Sequence, residues 1–158
     1  MSSAVLPLPY TKPPLSLNDS GASRGAALAR SRKRKQLRTD VCRLAALAYL
    51  PRGVDHVTVQ LHYRPRDNRV RDTDNLIATA KPIYDALTKG RPARISPRTR
   101  RPVPAQIGYG MVPDDTPRWM TKPEPIIHAA QPGQPGSLWV ELVWRLADDG
   151  SDPQAVAA

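Results

Sequence analysis

The chain has 158 residues, which suits one compact domain, and 40% of it is hydrophobic although it contains no phenylalanine. Lysine and arginine outnumber aspartate and glutamate 24 to 14, the pI is near 10.4, and such an excess favours polyanions, nucleic acid before an anionic membrane surface. No apolar run approaches a membrane span and no signal peptide is visible, so a cytoplasmic protein is expected.

Cys42 is the only cysteine, so an intrachain disulfide is excluded, and the three histidines are too scattered for a zinc site. Any metal is therefore expected on oxygen ligands, which points to Mg²⁺ or Mn²⁺. The 18 prolines are about twice the usual share and predict long turns.

In chain order, residues 4–10 read as a short strand that Pro7 and Pro9 confine to a sheet edge. Pro13 to Asp19 is a loop. From Gly21 or Ser23 to Leu50 a long helix is expected, with Leu37, Val41, Leu44 and Ala48 on its apolar face and Pro51 and Gly53 ending it. Its first half carries Arg24, Arg30, Arg32, Lys33, Arg34, Lys35 and Arg38, which read either as a solvated face or as a phosphate-tracking surface, with Arg32, Lys33, Arg34 and Lys35 the candidate DNA-binding residues. Residues 55–64 alternate as a half-buried strand, Val57, Val59, Leu61 and Tyr63 inward, with His62 on the polar surface.

An arginine-rich turn over 65–71 includes Arg69 and Arg71. A helix follows from Asn75 to about Lys89, with Asp74 as its N-cap and Leu76, Ile83 and Leu87 on its apolar side. Pro82 either kinks it near Ala78 or starts it afresh. Residues 90–106, with Arg98, Arg100 and Arg101, read as a flexible basic loop ordered by DNA. A strand over 123–130, a turn over 131–136, a strand over 138–146 and a disordered tail over 147–158 complete the chain. This order predicts a single small α+β domain, 1–146, with helices on one face of a mixed sheet.

Asp72 and Asp74 stand two residues apart where the arginine turn meets the helix, and Asp114-Asp115 follow in a Pro-rich turn. Carboxylates amid so much positive charge suit a hard divalent cation held beside a phosphate, the arrangement that phosphodiester hydrolysis uses. In that reading Lys81, seven residues after Asp74, lies on nearly the same helix face and meets the scissile phosphate. The plainer reading makes Asp72 and Asp74 a cap and a salt-bridge partner of Arg69 or Arg71, and Asp114-Asp115 turn formers. Asp85 reads as a structural partner of Lys81 or Lys89.

The run Arg71-Asp72-Thr73-Asp74-Asn75-Leu76, then Lys81, Asp85-Ala86-Leu87-Thr88-Lys89 and Asp114-Asp115, resembles the RusA family of Holliday junction resolvases. That family carries an Asp-x-Asp-Asn-Leu run, a lysine, an Asp-Ala-Leu segment and a later Asp-Asp. The likeness spans roughly residues 5–146 and is specific over 71–89. It implies a homodimeric α+β fold, binding to four-way DNA junctions, and Mg²⁺-dependent symmetric nicking in recombination and repair. It also implies Asp72, Asp74 and Asp115 as metal-binding carboxylates and Lys81 as the catalytic lysine. The family's lysine commonly follows the second aspartate by four residues, so three residues are inserted here. A non-catalytic DNA-binding protein, and a related nuclease acting on other branched DNA, are the competing expectations.

Overall fold

The computed structural model describes residues 1–19 and 21–146; the tail expected over 147–158 lies outside the described residues. The first strand, β1, is Ser2–Leu8. Helix α1 is Arg24–Leu47, capped by the Ser23 hydroxyl, which accepts the Ala26 N–H. Its buried stripe is Leu37, Val41 and Ala45, so the seam uses Ala45 where Ala48 was expected. The helix stops before Pro51, and Tyr49 turns the chain with a φ of 51°. Strand β2, His56–Arg64, follows.

A 3-10 turn, Thr73–Leu76, leads into helix α2, Ile77–Leu87. Pro82 lies within α2, so the helix does not restart there. Leu76, Ile83 and Leu87 are all buried, as their spacing predicts. The stretch expected as a flexible loop instead holds a small antiparallel hairpin, β3 (Arg94–Ile95) with β4 (Pro102–Val103). Arg100 takes a φ of 56° in the connecting turn, and the Ser96 and Arg101 backbones bond across it. Proline punctuation there reflects a tight turn and not the absence of pairing.

Two short strands, β5 (Met120–Thr121) and β6 (Ile126–Ile127), precede the last strand, β7 (Ser137–Arg145). The main sheet runs β1-β7-β2-β5, and β6 also pairs with β2. β7 is antiparallel to both β1 and β2, while β5 and β6 are parallel to β2. The fold is thus α+β on a mixed sheet, with β1 at the edge that its prolines predict. No helix among the described residues is long and apolar enough to cross a membrane.

Register sets the two faces. Val59 pairs with Leu142, and Leu61 with Val140; these four side chains join Leu37, Val41, Ile83 and Leu87 in one core, so both helices cover this face. The opposite face stays open, with Val5 and Val143 exposed. His62 departs from the expected surface position, being only 4% exposed. Its Nδ1 is 2.9 Å from His128 Nε2 and its ring stacks on Trp139. Cross-strand packing thus buries it on the uncovered side, and burial, outweighing nearby Glu141, lowers its pKa.

The loop before α1 is tied to α2 by Thr79, whose hydroxyl donates to Leu15 O at 2.7 Å and accepts from Leu15 N at 3.2 Å. This bond brings Ser16 beside Asn75. The register makes a direct prediction. Leu142→Ala should cost about 2–5 kcal/mol in chemical denaturation, whereas Val143→Ala, one residue on and on the open face, should change stability by about 0.5 kcal/mol or less.

Candidate active site

Asp67 gathers the arginines of the turn. Arg71 donates to its carboxylate at 2.6 Å, and Arg66 and Arg69 each lie 3.8 Å away. The Arg71 hydrogen bond leads the causes that hold the Asp67 carboxyl below its usual range. Arg69 and Arg71 are therefore engaged by Asp67 and make no ion pair with Asp72 or Asp74. Asp72 caps the 3-10 turn, its Oδ1 accepting the Asp74 N–H at 3.1 Å. The capping position expected of Asp74 belongs to Asp72, because the helical path begins one short turn earlier than α2 itself. Asp74 is left exposed in the first turn. Thr73, between the two acids, donates to Glu124 Oε1 at 2.5 Å, which brings a carboxylate from the strand region beside them.

Lys81 lies farther along. Seven residues, the first few in 3-10 geometry, turn it back to nearly the direction of Asp74 but carry it roughly 11 Å along the axis. There its ammonium donates to Asp85 Oδ1 at 3.2 Å and Asp115 Oδ2 at 2.9 Å. The expected four-residue pairing with Asp85 is present. Lys122 converges on the same carboxylate, donating to Asp115 O at 2.6 Å and Oδ2 at 3.1 Å, with its ammonium 5.6 Å from the centre of the Tyr84 ring. Asp114 and Asp115 are thereby told apart: Asp114 accepts from the Thr116 N–H and hydroxyl as a turn former, and Asp115 reaches the lysines.

Partial burial works against both charges in the Lys81–Asp115 pair, pulling the ammonium's pKa down and pushing the carboxyl's up. Their hydrogen bonds and mutual attraction, with Asp85 and Lys122 adding to them, outweigh it. Lys81 ends above its ordinary value and Asp115 below its own.

Basic residues flank the acids. Arg30, Arg34 and Arg38 line a groove of about 400 Å³ that also holds Lys81 and Asp85. Of the run Arg32, Lys33, Arg34 and Lys35, Arg34 alone lines this groove, where it joins Arg30 and Arg38 of the same basic half of α1; Arg32, Lys33 and Lys35 are exposed elsewhere on the helix. The four-residue spacing of Arg30, Arg34 and Arg38 was the available signal. On the other side, Lys12, Arg66, Arg69 and Arg71 border a hollow of about 490 Å³. Arg98, Arg100 and Arg101 belong to the hairpin region and make no ion pair with these acids. Lys122 and Glu124 carry no sequence signal; only the return of the chain beside β2 brings them here.

Among the described residues, no three His, Cys, Asp or Glu side chains are grouped closely enough to hold a metal ion. Asp115 stands with its lysines and not with Asp72 and Asp74. The Asp72–Asp74 pair by itself suits Mg²⁺, a hard cation that keeps several waters and takes one or two carboxylates together with substrate phosphates.

The quartet of Lys81, Asp85, Asp115 and Lys122 predicts a pH signature. A depressed carboxyl contributes stability above the ordinary aspartate pKa of about 3.9 and loses it as pH falls through the lower folded value. A raised ammonium contributes below about 10.4 and loses it as pH rises through the higher folded value. Asp115→Asn should therefore lower Tm by about 1–4 °C, evenly from about pH 5 to 9, and the gap to the parent should close in acid and narrow in strong alkali. Comparison with protein-family models and with curated proteins returned no match.

Proposed function

We propose that this protein is a divalent-metal-dependent endonuclease that nicks branched DNA, four-way junctions foremost, as a two-fold homodimer of the kind that the RusA resemblance implies. One observation carries the reading. Two exposed carboxylates, Asp72 and Asp74, lie on the stretch of chain that runs from Arg71, which borders the basic hollow, to Ile77 and Lys81, which line the groove of Arg30, Arg34 and Arg38. A surface meant only to bind phosphates has no use for bare acids at its centre, since they repel the ligand.

In this reading Asp72 and Asp74 hold Mg²⁺, or Mn²⁺, at the scissile phosphate. The ion supplies an activated water and neutralises the charge that develops. The groove arginines and the arginine turn hold the phosphates on either side and so fix the strand. Lys81, more exposed than Lys122, turns its ammonium from Asp85 to the phosphate. Asp115 stays outside the metal site and positions the Lys81 ammonium through the oxygen that Lys122 shares. A two-fold dimer presents two equivalent sites, which symmetric cuts need.

A second reading, a non-catalytic DNA-binding protein, is favoured by the pairing of Asp115 with two lysines, which leaves it a purely structural counter-ion. Purified protein, Mg²⁺ and synthetic four-way, flap and linear substrates separate the two. Paired, symmetric nicks on the junction are expected. Asp74→Asn should bind the junction about as well and cut it about 100-fold more slowly or worse. Affinity indifferent to both Mg²⁺ and Asp74→Asn, with no nicking of any substrate, would leave only the binding protein.

A second expectation concerns the groove. Arg34→Glu should weaken junction binding and reduce the steepness of log K against log salt by about one unit for each phosphate that the groove no longer neutralises. An unchanged salt slope would remove α1 from the DNA path.

A further inference from the structure

Beside the Asp72 turn lies a cavity of about 730 Å³, a size within the roughly 300–1,000 Å³ of small-molecule sites. Its apolar lining comes from segments far apart in sequence: Pro13 before α1, Tyr63 at the end of β2, Val70 in the arginine turn, Leu76 and, from β6, Ile127. Val70 is fully exposed, between Arg69 and Arg71. Three polar side chains, Ser16, Thr73 and Asn75, and two cations, Lys12 and Arg71, complete the lining together with Asp72.

Asn75 is half-buried and keeps hydrogen-bonding capacity to spare. Its Oδ1 takes one long bond, 3.5 Å, from the Ser16 hydroxyl, and its Nδ2 makes no hydrogen bond among the described residues. A carboxamide offers a donor and an acceptor side by side, the pattern that pairs with the edge of a base. Lys12 and Arg71 also line the neighbouring basic hollow, so a strand whose phosphates follow those cations passes the mouth of the cavity.

We propose that this cavity takes one nucleobase, that of a nucleotide adjoining the cut phosphate, and that Asn75 reads its hydrogen-bonding edge. The proposal rests on the nuclease reading above and adds to it a determinant of sequence preference. The chemistry is consistent at each contact. The apolar lining receives the face of a base, the cations receive its phosphate, and Asp72 keeps the reacting centre next door. Extracting a base costs least where pairing is already interrupted, as at a branch point.

The test uses the wild-type protein first, so folding is not in question. Four-way junctions are prepared with an abasic site at each position in turn across the cut. Binding is measured by fluorescence anisotropy in Ca²⁺, and nicking is measured in Mg²⁺. Removing the base at one position adjoining the cut should weaken binding by roughly tenfold, the scale of a missing stacked base, whereas removal several nucleotides away should not. Across junctions that differ only in that base, kcat/KM should spread by roughly tenfold or more, and Asn75→Ala should compress the spread. Nicking that is indifferent to base removal at both neighbours of the cut overturns the pocket and leaves the nuclease standing. Failure to nick any branched substrate overturns the nuclease reading, and the pocket with it.

Discussion

One carboxylate, that of Asp115, ties the functional surface together. It receives Lys81 from α2 and Lys122 from the segment after β5, two elements that share no hydrogen-bonded ladder. Two like charges drawn to one oxygen would repel each other if left alone. Asp85 on the far side of Lys81 and the Tyr84 ring beneath Lys122 spread that charge. In a chain carrying a net charge of +10, such pairing is what allows a dense basic surface to hold a definite shape. The single pairs are worth little where solvent reaches them; their value lies in fixing where the lysines stand.

The legible part of the fold was the part written in periodicity. β2 and β7 alternate along nine residues each, and α2 repeats its apolar residues at helical spacing, so a short window of sequence decides each of them. The two-residue β5 contains too little pattern to be read, and β6 fills only Ile126 and Ile127 of the strand expected over 123–130; both exist because β2 offers an edge. The hairpin within the arginine- and proline-rich stretch was hidden for a related reason, since its pairing is local and its composition resembles that of a loop. His62 escapes such a reading because alternation assigns a side of the sheet, not its exposure, and Trp139 and His128 stack over this one position of an otherwise open face.

The candidate site divides the same way. Asp72, Asp74 and Lys81 were visible because they share one stretch of chain, and helical geometry relates them. The choice between Asp114 and Asp115 depended on contacts 34 residues away from Lys81, which no local pattern encodes. Arg30, Arg34 and Arg38 belong to one basic half of α1, and charge density along a helix says less than charge spacing about which surface a neighbour meets. Lys122 and Glu124 were out of reach altogether.

The reason lies in topology. β5 and β6 run parallel to β2, and a parallel return cannot be made by a tight turn. The chain must leave β2, cross a face of the sheet and come back to the same edge. In doing so it spends the arginine turn, the 3-10 turn and α2 on the outward path, and then lays residues 120–130 alongside the strand it left. That return segment touches each part of the outward path. Lys122 lies over the Tyr84 ring of α2, Glu124 meets Thr73 of the 3-10 turn, and the Ala130 N–H meets Asn68 Oδ1 in the arginine turn, while His128 meets His62 back on β2. The turn that carries the acids at 72 and 74 is thus held from both sides, by its own capping geometry and, through Thr73, by the connector between β5 and β6 some 50 residues later. A site built at such a crossing gains rigidity from the sheet while its ligand-facing residues stay on turns, where the backbone is free to offer its side chains to solvent.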